Sequence, residues 1–359
     1  MSALQDFLDR HDARHRHDEV LGGPGRLALL GLAGLLALIA PVLDPTAPFL
    51  VFLLTRVLIF ALFAISLDFV FGYTGLPSFG HAAMFGTGGY AAALLLSNGT
   101  QNLLLVLPAT FVVGVVVAIV IGWLSVRSRG IYFAMLTLAF AQVLYIVAFN
   151  DLLATILGIA NVTGGDNGIV GIPGYQFAGT SLQGTLVYYY LVLVITVGSV
   201  ALLFRMANSP FGRVIQGIRE NEDRIDALGY NVSLYKVVAF AISGGFAGLA
   251  GGLLVPLQTL AHPQILHWQL SGELIVMVLL GGMGTLWGPM FGAALVILME
   301  DILSSIIGWR IILGSVFVIV VIFAPTGLAG IIRTLREEPR RAPAHLKNAV
   351  QTYVSKVRR

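Results

Sequence analysis

The chain has 359 residues, of which 57% are hydrophobic and 11% charged, and its mean hydropathy is +0.89. A soluble domain carries about a quarter of its residues as charges, so this composition excludes a surface solvated mainly by water and points to lipid. With no cysteine, disulfides, thiolate metal sites and a cysteine nucleophile are excluded. The net charge of +3 takes its meaning from where the basic residues sit.

Apolar runs near the roughly 20 residues needed to span a bilayer fall at about 27–43, 49–70, 79–97, 102–125, 130–149, 185–204, 237–256, 272–284, 288–306 and 310–328. The expected fold is therefore an all-α polytopic membrane protein of about ten transmembrane helices. With the N-terminus inside, the segments 1–26, 126–129, 205–236 and 329–359 hold four, two, five and eight Lys or Arg, which leaves only Arg56 and Arg310 elsewhere. The positive-inside rule then places both termini in the cytoplasm, so the basic balance is topological and not a nucleic-acid footprint. The expected organisation is a cytoplasmic tail (1–26), a transmembrane domain (27–328) carrying a cytoplasmic loop (205–236), and a basic cytoplasmic tail (329–359).

The N-terminal tail carries His11, His15 and His17 among Asp and Arg. No rigid scaffold presents these imidazoles, so a solvated tail is expected and not a metal site. Pro41-Val42-Leu43-Asp44 is a poor small-residue cleavage site, so the first span is expected to stay as a helix. Either tail can touch anionic headgroups. In the second span, Arg56 lies near an end and is read as snorkelling. Asp68 sits just before a Gly-rich break, where an ionisable group faces the bundle interior or water.

Residues 72–86, GYTGLPSFGHAAMFG, interrupt the apolar pattern with glycines, Pro77, Tyr73, Thr74, Ser78 and His81. Non-helical backbone at membrane depth is tolerated only where protein buries it or water reaches it. A second interruption, GGMGTLWGPMFGAA at 281–294, has the same texture, and Phe79-Gly80-His81-Ala82-Ala83 faintly echoes Phe291-Gly292-Ala293-Ala294. Paired Gly/Pro-broken segments point to a transport pathway at a repeat interface. His81 needs a hydrogen-bond partner if buried, and Ser78, three residues earlier, is the expected one. A structural role and a place on the pathway both stay open for it. Ser78, His81, Thr137, Gln142 and Asp68 are the candidate path residues, with Tyr73 and Tyr132 behind them; Thr137 and Gln142 serve equally well as interhelical glue.

Residues 205–236 form the one substantial cytoplasmic loop. Ser209-Pro210 starts a helix with an N-cap and an N1 proline, and Phe211, Val214, Ile215 and Ile218 give it one apolar side. Arg219-Glu220-Asn221-Glu222-Asp223-Arg224-Ile225-Asp226 then places acids where they suit the first turn of a new helix capped by Asn221. Gly229 is the expected stop. Two capped helices are more than a connection needs, and a helix docked in a partner's groove is a use for them.

Five segments together resemble the branched-chain amino acid ABC transporter permeases, specifically the LivM-type subunit. They are GYTGLPSFGHAAMFG, GIYFAMLTLAFAQ at 130–142, TGGDNG at 163–168, SPFGRVIQGIRENEDRIDALGYNVSLYK at 209–236 and SGELIVMVLLGGMGTLWGPMFGAA at 271–294. The resemblance covers about residues 50–330 and implies one of two homologous permease subunits. Its implied partners are a LivH-like subunit, two cytoplasmic ATP-binding subunits and an extracytoplasmic solute-binding protein. It also implies that the loop before the later spans couples to the ATPase, here through Arg219, Glu220, Asn221, Glu222, Asp223, Arg224, Asp226 and Gly229. Consistently, no G-x-x-x-x-G-K-[ST] occurs, nor H-E-x-x-H, nor a G-x-S-x-G elbow, so no cofactor, metal site or catalytic role is expected. The alternatives are a urea or short-chain amide permease of the same family and, less favoured, an ion-coupled secondary transporter, for which Asp68 is the one fair coupling acid.

Overall fold

The computed structural model describes residues 47–158 and 161–304 continuously, together with a few positions between 34 and 44 and between 311 and 315. The two tails with their histidines, the span expected at 310–328 and much of the one at 27–43 lie outside the described residues. The described chain is helical apart from four two-residue strands, two 3-10 turns and connecting loops.

The first long helix, α1 (Pro48–Thr74), opens on Pro48 and ends where Gly75, at φ 77°, returns its N–H to Val70 O. After a six-residue break, α2 (His81–Ser97), α3 (Leu103–Ser125) and α4 (Ile131–Phe149) follow, α3 capped by Asn102 Oδ1 accepting from Leu104 N at 3.0 Å. A short α5 (Leu152–Leu157) leads to α6 (Thr185–Ala207), then α7 (Pro210–Glu220), α8 (Glu222–Ala227), α9 (Val232–Gln258), α10 (Trp268–Gly281) and α11 (Gly288–Leu303).

Five of these, α1, α3, α4, α6 and α9, are long and apolar enough to cross a bilayer. The expected spans 79–97, 272–284 and 288–306 correspond to helices of 17, 14 and 16 residues. α1 runs smoothly through Gly72 to Thr74, so the first interruption is confined to 75–80, a narrower break than the glycine spacing suggests. The second is confined to 282–287. The short sequence echo does not mark equivalent places: Phe79–Ala83 opens α2, whereas Phe291–Ala294 lies inside α11.

α9 is the central element, packed on α3, α2 and α1. Its Gly244, Gly248 and Gly251 let neighbouring backbones approach as small residues do in membrane bundles. A Cβ on Gly248 would sit 2.6 Å from Thr110 O, and one on Gly251 would collide with Phe85 O. α9 also contains Pro256, which has no N–H to return to Gly252 O. Tyr175 Oη donates to that carbonyl at 2.7 Å, and Tyr188 Oη to Leu253 O at 2.5 Å.

At this end of the array, β1 (Ile169–Val170) pairs antiparallel with β4 (Leu260–Ala261), and β2 (Gln176–Phe177) with β3 (Thr180–Ser181). Between α9 and α10 the 3-10 turn Pro263–Leu266 turns back into the helices. Leu266 is buried, and a Cβ on Gly86 would overlap it. Arg56 also departs from expectation: its guanidinium meets Glu300 Oε2 at 2.9 Å, so a carboxylate from α11 holds it in place of snorkelling.

Candidate functional site

Most of the residues singled out by sequence gather at two adjoining places, around the 75–80 break and at the 209–229 elbow. α2 begins beside Ser66, about 12 Å inside the end of α1 by the rise per residue. A helix start at such depth leaves orphan backbone N–H groups that cost several kcal/mol in apolar surroundings unless matched. Three hydroxyls match them. Phe79 N donates to Thr137 Oγ1 at 3.2 Å, Gly80 N to Ser78 Oγ at 3.3 Å and Ala82 N to Ser271 Oγ at 2.8 Å. Ser78 and Thr137 are thus both fully buried and engaged with the backbone of the break.

His81 is also fully buried, and its partner is not Ser78. Nε2 lies 3.1 Å from Ser66 Oγ and 3.2 Å from Ser243 Oγ. Ser66 Oγ donates to Phe63 O at 2.6 Å and Ser243 Oγ donates to Ser66 O, so both hydroxyl protons are committed. Nε2 must therefore carry the ring proton and donate, which leaves Nδ1 as an acceptor with no partner among the described residues. The ring stacks on Phe63 at 5.8 Å and meets Phe240 edge-on at 6.3 Å. The ring thereby ties α1, α2 and α9 together. Ser78 Oγ instead accepts from Gly80 N, and the sequence-distant serines of α1 and α9 face the ring.

Asp68 is sealed from solvent and ties the second break to α1. Its Oδ1 accepts from Gly284 N at 2.7 Å and its Oδ2 from Leu286 N at 2.9 Å. Gly72 allows this approach, because a Cβ there would lie 2.6 Å from Gly284 N. Gln142 stands apart, half-buried on α4 with Oε1 unpaired among the described residues. Tyr132 is 70% exposed on the outer face of α4 and Tyr73 stacks on Phe69, so neither joins the cluster.

The elbow has the local structure its sequence specifies. Ser209 Oγ accepts from Gly212 N at 3.3 Å, Asn221 Oδ1 accepts from Arg224 N at 2.9 Å, and Gly229, at φ 88°, follows the end of α8. Ile215 and Ile218 are buried, while Glu220, Asp223, Arg224, Asp226 and Leu228 are exposed. Glu222 faces inward, with Lys236 Nζ 2.7 Å from Oε2 and Arg129 3.6 Å from Oε1. Arg129 also reaches Asp223 at 3.4 Å. Lys236 and Arg129 were legible only as topological charges, because pairing across three elements leaves no mark in sequence spacing.

Between elbow and break lies a cavity of about 200 Å³ lined by Thr74, Gly75, Arg129, Arg219, Glu222 and Lys236. Arg219, in the last turn of α7, crosses it and donates from a guanidinium nitrogen to Gly72 O. Its Cγ would lie 3.1 Å from a Cβ on Gly75, and its Nη1 3.0 Å from one on Gly284.

The family model described as branched-chain amino acid transport system permease component matches residues 49–325. The chain is 28% identical over 303 residues to the high-affinity branched-chain amino acid transport system permease protein LivM of Escherichia coli K12, an alignment covering 78% of this chain and 69% of that one. It is 26% identical over 277 residues to the probable branched-chain amino acid transport permease protein LivM of Methanocaldococcus jannaschii, covering 67% and 77%. It is 23% identical over 287 residues to the corresponding LivH of Escherichia coli K12, covering 76% and 91%. No solved structure matches it.

Proposed function

The chain belongs to the family of branched-chain amino acid transport permease components, and from that premise we propose how its two clusters serve uptake. The protein is a multi-pass, non-catalytic membrane subunit of an ABC importer for branched-chain amino acids, one of a LivM/LivH pair. With a LivH-like partner it forms the translocation path. Two cytoplasmic ATP-binding subunits drive it and an extracytoplasmic solute-binding protein supplies the substrate. Both termini lie on the elbow side, in the cytoplasm.

The observation that carries this reading is the elbow itself. Its outward side offers Glu220, Asp223, Arg224, Asp226 and Leu228 to a partner, and its inward side is tied to the transmembrane helices through Glu222 and Lys236. A push from a closing ATPase would travel through these fixed contacts to the helices around the breaks, and it can shift the equilibrium only if the contacts differ between states.

The candidate path residues Ser78, Thr137 and His81 are engaged with other groups of the chain. We place them as the braces of the moving break, with Gln142 as the polar group available to a weakly polar path. The ion-coupled alternative fits less well, because Asp68 is sealed and already accepts two backbone N–H groups.

The test is uptake in cells deleted for the gene and complemented with it. Leucine, isoleucine and valine uptake should return only when the cognate ATPase genes are intact. Restored urea uptake without that of the amino acids would assign the related amide substrates, and uptake independent of the ATPases would refute the ABC reading.

A further inference from the structure

We propose that Arg219 is the positioning residue through which the elbow moves both glycine-rich breaks. This inference rests on the coupling role just proposed for the elbow and names the side chain that carries it.

Three observations converge on Arg219. Among the described residues it is the one side chain of the elbow that hydrogen-bonds the end of α1, its guanidinium donating to Gly72 O. Gly72 O is among the last carbonyls of α1, which have no helical partner and sit at the negative end of the helix dipole, so a cation is favoured there. The surfaces around it are glycine: Gly75 meets the Arg219 stem and Gly284 its Nη1, at distances that a Cβ would crowd. Lastly, Gly284 N, beside the Arg219 guanidinium, is bonded to Asp68 of α1.

The elbow, the end of α1 with the 75–80 break, and the 282–287 break therefore meet along one side chain, Arg219. A displacement of α7 along its axis must either carry Gly72 and Gly284 with it or break the Gly72 hydrogen bond. The ion pairs of the elbow, with Lys236 and Arg129, go to α9 and to the start of α4, and the apolar side of α7 packs on α1 and brings Ile218 beside the 75–80 break, so Arg219 is the elbow side chain that also reaches Gly284 in the second break.

The test uses the complete importer, reconstituted in liposomes with its partner subunits and binding protein, and reads leucine transported per ATP hydrolysed. Arg219→Ala should assemble and hydrolyse ATP yet transport with a ratio lowered roughly 5- to 150-fold, the span of ordinary coupling energies. Arg219→Lys keeps the charge and one donor and should recover most of the ratio. Arg219→Gln keeps a donor without charge and should remain uncoupled, and it decides the matter if Arg219→Ala does not assemble.

A wild-type ratio in either neutral variant overturns the proposal, as does failure of both to assemble, which would make Arg219 a folding residue. Replacing the outward residues Glu220, Asp223, Arg224 and Asp226 by Ser separates the two claims. If that variant uncouples and the Arg219 variants do not, only the Arg219 assignment falls; if neither uncouples, the elbow reading falls with it.

Discussion

Glu222→Gln removes the carboxylate that faces Lys236 while keeping the shape of the side chain. Lys236 Nζ lies 2.7 Å from Glu222 Oε2, and the two side chains are 4% and 28% exposed. Removing one partner from a fully buried pair costs about 3–5 kcal/mol, because the remaining charge stays desolvated. Glu222 retains some contact with water, so the expected loss falls below that scale, at about 2–3 kcal/mol. Lys236→Met should behave differently, since Glu222 keeps Arg129 at 3.6 Å and its own access to solvent; about 1 kcal/mol or less is expected, the size of a surface pair. The double variant should regain most of what Glu222→Gln loses, as apolar replacement of a buried pair is often neutral. Equilibrium unfolding in mixed micelles, read as a double-mutant cycle, measures all three. Equal losses in the two single variants, or a double variant as unstable as Glu222→Gln, would refute this account of the elbow's anchor.

Tyr175→Phe should lower thermal stability by about 1–3 kcal/mol, because Gly252 O is left without a donor beside Pro256; an unchanged melting temperature in detergent would mean that another group or water takes that carbonyl. Gly248→Ala should cost about 1–3 kcal/mol by forcing a methyl toward Thr110 O, whereas Gly198→Ala, with open space around it, should be tolerated; similar losses in both would contradict the close-packing role of α9. Burial would raise the Asp151 carboxyl, but hydrogen bonds from Thr163 N and Oγ1 and from Val162 N outweigh it and hold it below the ordinary carboxylate range. Its contribution is therefore present at neutral pH and lost as pH falls through the lowered value. Asp151→Asn should speed amide exchange at Val162 and Thr163 at pH 7, and the difference should shrink under acid; a pH-independent difference would count against the carboxylate as the cause.

Local features proved legible because their causes are local. Ser209, Asn221 and Gly229 start and stop the elbow helices within a few residues of themselves, and Gly75 ends α1 by its own backbone freedom. The breaks could be located from Gly and Pro, but their partners could not. His81 takes Ser66 and Ser243, Arg56 takes Glu300, and Asp68 takes the backbone of Gly284 and Leu286. Each of these contacts depends on which helices pack together, and in lipid nearly uniform apolar faces give sequence periodicity little power to say so. The return of Pro263–Leu266 into the helices is hidden for the same reason. A short polar segment after a span reads as a loop, and only the small surfaces of Gly86 and Gly89 on α2 make room for it.

The central claim is that the elbow passes the work of ATP hydrolysis to the helices around the two breaks. It is tested most directly in proteoliposomes holding the whole importer, with Glu220, Asp223, Arg224 and Asp226 replaced by Ser and Glu222 retained so that Lys236 stays paired. The account predicts a variant that inserts and assembles but takes up leucine at a small fraction of the wild-type rate per ATP consumed. Uptake at the wild-type ratio would contradict it.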